Sequence, residues 1–193
     1  MKRRPAMNNT MTKTMERSQL SIKTQTIATL AAIVGAVAVP QMFHAMGAVS
    51  GLGAALGNTF LPMHLPIIMV GLLAGPYAGA ISGLLGPMVS YALTGMPAIT
   101  LLPFMMLELM IYGLSAGLLR NVKVPTIGKV VVIQFAGRVV RALAILAAVN
   151  LLGNTSIKVS IIWTSIAAGV PGLVLQWTLL PLLIYRIENS RRA

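Results

Sequence analysis

The sequence predicts an all-α integral membrane protein, a six-transmembrane-helix bundle with both termini in the cytoplasm. Three observations carry this. Of the 193 residues, 56% are hydrophobic and only 9% are charged, against about 25% charged in ordinary soluble domains. The apolar runs, such as "AILAAVNLL" and "GLVLQWTLLPLLIY", lack the strict alternation of barrel strands and are read as helices. The basic residues gather at the ends of these runs, as the positive-inside rule requires. The net charge of +12 therefore points to membrane topology. It does not point to nucleic acid, because no basic face is interleaved with stacking aromatics. There is no Cys, so there are no disulfides.

Residues 1–25 form a basic, polar cytoplasmic segment with Lys2, Arg3, Arg4, Lys13, Arg17 and Lys23 opposed only by Glu16. The membrane domain covers 26–187, and 188–193 is a basic cytoplasmic tail. A secretory signal is the competing reading of the start, but its basic region is long and further apolar runs follow. Six spans are expected, at about 26–46, 58–75, 77–94, 98–119, 128–151 and 159–185. Prolines near their starts cost little, since first-turn amides have no partner within the helix. In this arrangement twelve basic residues fall inside and only Lys158 outside, while Arg138 and Arg141 lie within the fifth span. Five or seven spans would put one basic terminus outside.

The segment between the first two spans, "GAVSGLGAALGNTF", is rich in Gly and Ala and is expected to fold back. Its glycines do not fit a dinucleotide fingerprint, and no Walker A sequence occurs. ATP-driven transport would therefore need an ATPase on another chain. In the first span Ala28, Ala32 and Ala36 share one face. Small residues there allow close approach of a helix, either from this bundle or from a partner.

Glu108, Arg138 and Arg141 lie near the middle of their spans. A central charge costs ~2.5–3.5 kcal/mol on insertion scales, so it is usually paired or faces a cavity. These three form a buried charge cluster in which Glu108 pairs with either arginine. They are a register-fixing pair, or else one wall of a solute pocket. His44 and His64 flank the first outside segment and have no third ligand, so no metal site is assigned. Asn58, Asn150, Trp163 and Gln176 complete the candidate binding set, with His44, His64 and Glu108. No carboxylate pair, nucleophile–base pair or metal cluster argues for catalysis, and no catalytic residue is assigned. An intramembrane enzyme using Glu108 and a structural membrane protein remain the alternatives.

The blocks "FLPMHLPIIMVGLLAGPYAGAISGLLGPMVSYALTGMP" (Phe60–Pro97) and "LPFMMLELMIYGLSAGLL" (Leu102–Leu119) resemble the substrate-binding S components of energy-coupling factor (ECF) vitamin transporters. The resemblance is to the group that includes folate, pantothenate and cobalamin S components. It covers most of residues 25–187 and is weakest in the fifth and sixth spans. It implies the six-helix S-component fold in a bacterial cell membrane, with a pocket towards the outer face. It further implies a membrane coupling subunit and two cytoplasmic ATPases as partners, with a vitamin as transported ligand and no intrinsic cofactor. Under it Ala28, Ala32 and Ala36 dock the coupling subunit. Since no basic residue but Lys158 is expected near the outer face, a large uncharged ligand is favoured. Cobalamin or a related corrinoid comes first, pantothenate second.

Overall fold

The computed structural model describes residues 20–53 and 55–190. The expectations for residues 1–19 and for 191–193 lie outside the described residues. All regular structure described is helical. Helix α1 (Ile22–Val49) starts at Ser21, whose side chain accepts from the Thr24 amide, and carries Pro40 in its interior. A short α2 (Ala55–Phe60) and a turn lead into α3 (His64–Ala74). Helix α4 (Pro76–Thr94) follows after Gly75 alone and ends on Gly95, whose φ of 73° is the left-handed conformation glycine adopts without strain. Then come α5 (Leu102–Leu118), a 3₁₀ turn (Leu119–Asn121), α6 (Thr126–Asn150), and α7 (Ile161–Ser190) with Pro171 and Pro181 inside it.

The expected outside segment is thus partly helical, because α1 runs on to Val49 and α2 occupies Ala55–Phe60. Five segments are long and apolar enough to cross a membrane: α1, α2 with α3, α5 with the 3₁₀ turn, α6, and most of α7. Helix α4 is not among them, since Gly, Ser, Tyr and Pro dilute its aliphatic residues.

Helices α3 and α5 occupy the middle of the bundle. Ile67, Ile68 and Leu72 of α3 and Leu109, Tyr112 and Ala116 of α5 pack with Val130 and Ile133 of α6 and with Leu180 and Ile184 of α7. The α4–α5 seam is built from glycine. A β-carbon on Gly113 would lie 2.0 Å from the Gly79 carbonyl oxygen, and one on Gly83 would collide with the Leu109 carbonyl. The two backbones are therefore in direct contact, an approach only small residues allow. The pairs 79–113 and 83–109 run antiparallel, and successive long helices alternate in direction. Helix α2 and the turns at 61–63, 95–101 and 151–160 consequently collect at the end of the bundle away from Leu20.

Candidate functional site

The polar side chains of the bundle converge under those turns. Glu108, one turn and a half into α5, is 1% exposed. Its Oε2 accepts from Arg141 Nη1 of α6 at 2.8 Å, and its Oε1 accepts from the Tyr112 hydroxyl at 3.0 Å. Both carboxylate oxygens are engaged. Arg141 is thus the partner of Glu108 in the ion pair. Gly137 makes the crossing possible, since a β-carbon there would sit 2.1 Å from the Tyr112 ring.

The His64 ring lies 5.2 Å, centroid to centroid, from that of Tyr112. The Leu61 carbonyl is 3.1 Å from His64 Nδ1, and it also accepts from the His64 amide at 3.1 Å and from Gln176 Nε2 at 3.1 Å. Leu61 has φ of 49°, a conformation costly for a residue with a β-carbon. Three donors on its carbonyl hold it there. The network extends across α6 and α7, where Gln134 Nε2 donates to Gln176 Oε1 at 3.0 Å and Trp177 Nε1 donates to Gln134 Oε1 at 2.6 Å. Burial makes each of these bonds costly to leave unmade.

Above this network lies a cavity of about 500 Å³. Pro40 and His44 of α1, Asn58 of α2 and the Leu61–His64 turn form one side. Ser90, Met96, Pro97 and Met105 form a second, and Arg138, Arg141, Thr164 and Ser165 a third. The His44 ring fits against Gly57, where a β-carbon would be 2.9 Å away. Arg138 reaches towards α7, its Nη2 only 3.1 Å from where a Gly169 β-carbon would be.

Of the residues singled out by sequence, His44, Asn58 and His64 are brought together on this cavity. Glu108 lies behind the wall, reaching it through Arg141. Three others are elsewhere. Gln176 is spent on Leu61 and Gln134. Trp163 faces outward at 72% exposure, and Asn150 is exposed at the end of α6. The rotation of α7 that buries Gln176 turns Trp163 away from the bundle. The placement of the arginines is a further correction. Both line the cavity, so the premise of a pocket without nearby cations fails. Helix α3 begins only at His64, leaving the space above it open down to the level of Arg138. Sequence reasoning also missed Ser90, Thr164 and Ser165. The "TGMP" break, which ends α4 and places Met96 and Pro97 on the wall, was the available signal.

The alanine strip is covered within this chain. Ala36 is fully buried and Ala32 is 6% exposed, Ala32 packing with Val70 and Ala74 of α3 and Ala78 of α4 while Ala28 lies alongside. In this conformation α3 and α4 fill the face expected to receive a coupling subunit. Among the described residues no group of three or more His, Cys, Asp or Glu gathers to hold a metal ion.

The family model described as "ECF transporter, substrate-specific component" matches residues 22–184. No curated protein and no solved structure matches.

Proposed function

The chain belongs to the substrate-specific components of ECF transporters, and from that premise we propose that the cavity under α2 and the 61–63 and 95–101 turns is where it captures a vitamin for import. Basic residues at the opposite end of the bundle support an outward-facing cavity by the positive-inside rule. The solute then passes to the cell through a separate coupling subunit driven by two ATPase subunits. The observation that carries this reading is the cavity itself, about 500 Å³ and lined from α1, α2, α4, α5, α6 and α7 with His64 at the start of α3. That volume lies within the range of ~300–1,000 Å³ typical of small-molecule sites. It suits a molecule the size of pantothenate and is small for a corrinoid, whose macrocycle and nucleotide loop exceed a drug-sized ligand. Pantothenate therefore moves ahead of cobalamin as the substrate.

An intramembrane hydrolase built on His64 and Glu108 has little to recommend it, because both Glu108 oxygens are already bonded. The test is a screen of vitamins against the purified protein in mild detergent, by calorimetry and mass spectrometry. Tight binding of a vitamin without turnover is expected. Turnover abolished by Glu108→Gln, or no binding of any vitamin, would refute capture as the function.

A further inference from the structure

Three buried nitrogens of cavity-lining side chains, Arg138 Nε, Arg141 Nε and His64 Nε2, have no hydrogen-bond partner among the described residues, and the chemistry of Arg138 and His64 is complementary. Arg138 Nε is buried and has no hydrogen-bond partner among the described residues. The site holds two guanidiniums and one carboxylate, and the carboxylate is taken by Arg141 at 2.8 Å. A guanidinium keeps its charge, so one positive charge faces the cavity uncompensated. The second group is His64, 3% exposed, whose Nε2 also has no partner. Its Nδ1 faces the Leu61 carbonyl, which can only accept. Nδ1 therefore carries the proton, and in the neutral ring Nε2 keeps an unmatched lone pair on a side chain that lines the cavity.

We infer that the solute is a small monocarboxylate that also carries a hydroxyl or N–H group, the carboxylate seated on Arg138 and the donor on His64 Nε2. This rests on the capture reading above and names the chemical class that the site takes. The Arg138 fork matches the two oxygens of a carboxylate. One unmatched positive charge calls for one negative charge, since a second would be buried without a partner where the dielectric is low. The remaining wall, with Met63, Leu101, Met105, Ile161 and Ala168, accommodates an aliphatic body. The Gln176–Leu61 bond serves to hold the His64 ring at its angle, so Gln176 acts as a positioning residue for this contact.

The test is equilibrium binding to the full-length protein in detergent. Pantothenate is the first probe, and pantothenol, with an alcohol in place of the carboxylate, is its uncharged control. Biotin, with its ureido N–H groups, and its amide extend the carboxylate set, nicotinate serves as a carboxylate without the donor and should bind more weakly, and riboflavin, thiamine and cobalamin form the non-carboxylate set. At least one carboxylate should bind, with its uncharged counterpart weaker by about 100-fold, the scale of a lost charge-assisted hydrogen bond. Arg138→Gln should lose a similar factor and Arg138→Lys should recover part of it. His64→Phe, which keeps a ring against Tyr112, should weaken binding by about 10-fold. Thermal unfolding of each variant checks that it folds, and the wild-type comparison of acid with uncharged analogue needs no variant at all. Binding confined to the non-carboxylate set would overturn the assignment while leaving capture intact. Equal affinity for acid and uncharged analogue, or an unchanged affinity in Arg138→Gln, would do the same. If nothing binds, the capture reading falls and this assignment falls with it.

Discussion

Between α4 and α5 the chain brings backbone against backbone at Gly79, Gly83 and Gly113, with no polar side chain bridging the two helices. Between α6 and α7 the contact is made instead by Gln134, Gln176 and Trp177, bonded in series to the Leu61 carbonyl. The first seam has no slack, because packed backbones have nothing to repack. The second is fastened at a few polar points and leaves room for a cavity beside it. The bundle thus joins a close-packed seam that fixes the fold to a polar seam beside the site, to whose wall α4 and α5 still contribute Ser90 and Met105. The Glu108–Arg141 pair links them, α5 belonging to the first seam and α6 to the second.

The comparison breaks hardest at the seam. Gly113→Leu should leave little or no folded protein, since its side chain would have to occupy the position of the Gly79 backbone. Yield and size-exclusion profile measure this. A well-behaved Gly113→Leu protein with near-wild-type thermal stability would mean the helices are not in contact there. Next comes the junction. Glu108→Gln leaves the Arg141 guanidinium without its anion and should cost about 3 kcal/mol. The double variant with Arg141→Gln should cost less than the sum of the two singles. Glu108→Gln with Arg138→Gln should be closer to additive, because Arg138 is not the bonded partner. Strong coupling to Arg138 in place of Arg141 would reverse the assignment of the pair.

Ala32→Trp sharpens the comparison by asking to which surface the alanine strip belongs. Buried against Val70, Ala74 and Ala78, the indole should destabilise the isolated protein by about 2 kcal/mol through overpacking. Were the strip a docking face, the isolated protein would keep its stability and only assembly with the coupling subunit would fail. The smallest perturbation is topological. Cysteines replacing Gly53 and Gly153 in intact cells should be labelled by an impermeant thiol reagent, and one replacing Asn121 should not, with stability nearly unchanged in all three. Labelling at Asn121 would reject the proposed orientation and with it the crossing of α4.

Much of this was legible in the sequence. Apolar runs and basic flanks located the helices, and the rarity of intramembrane acids pointed to an ion pair at Glu108. Depth and rotation were not legible. Arg138 and Arg141 count as deep along α6, yet the cavity descends to them because α3 begins at His64 and a turn at Leu61 stands where another helical turn was expected. Trp163 and Gln176 lie on one helix, thirteen residues apart, and apolar content alone does not tell which of them faces inward. The alanine strip carries the same ambiguity. Spacing shows that Ala28, Ala32 and Ala36 share a face, but not whose helix covers it.

The unequal lengths of the helices have a consequence for the surrounding lipid. Helix α1 has 28 residues and α7 has 30, while α4 has 19 and α5 has 17. At ~1.5 Å per residue these correspond to about 42–45 Å and about 26–28 Å, on either side of a hydrocarbon core of ~30 Å. Lipid beside α4, where Tyr77, Ile81, Leu84 and Met88 are exposed, would meet a short hydrophobic wall, and lipid beside α1 and α7 a taller one even after their polar ends, residues 23–26 and 186–190, are set aside. No single bilayer thickness matches both. The mismatch is relieved by leaning the bundle or by thinning the membrane on one flank, at a fraction of a kcal/mol per Å. Acyl-chain length is therefore a variable that acts on the resting orientation of this protein independently of any solute.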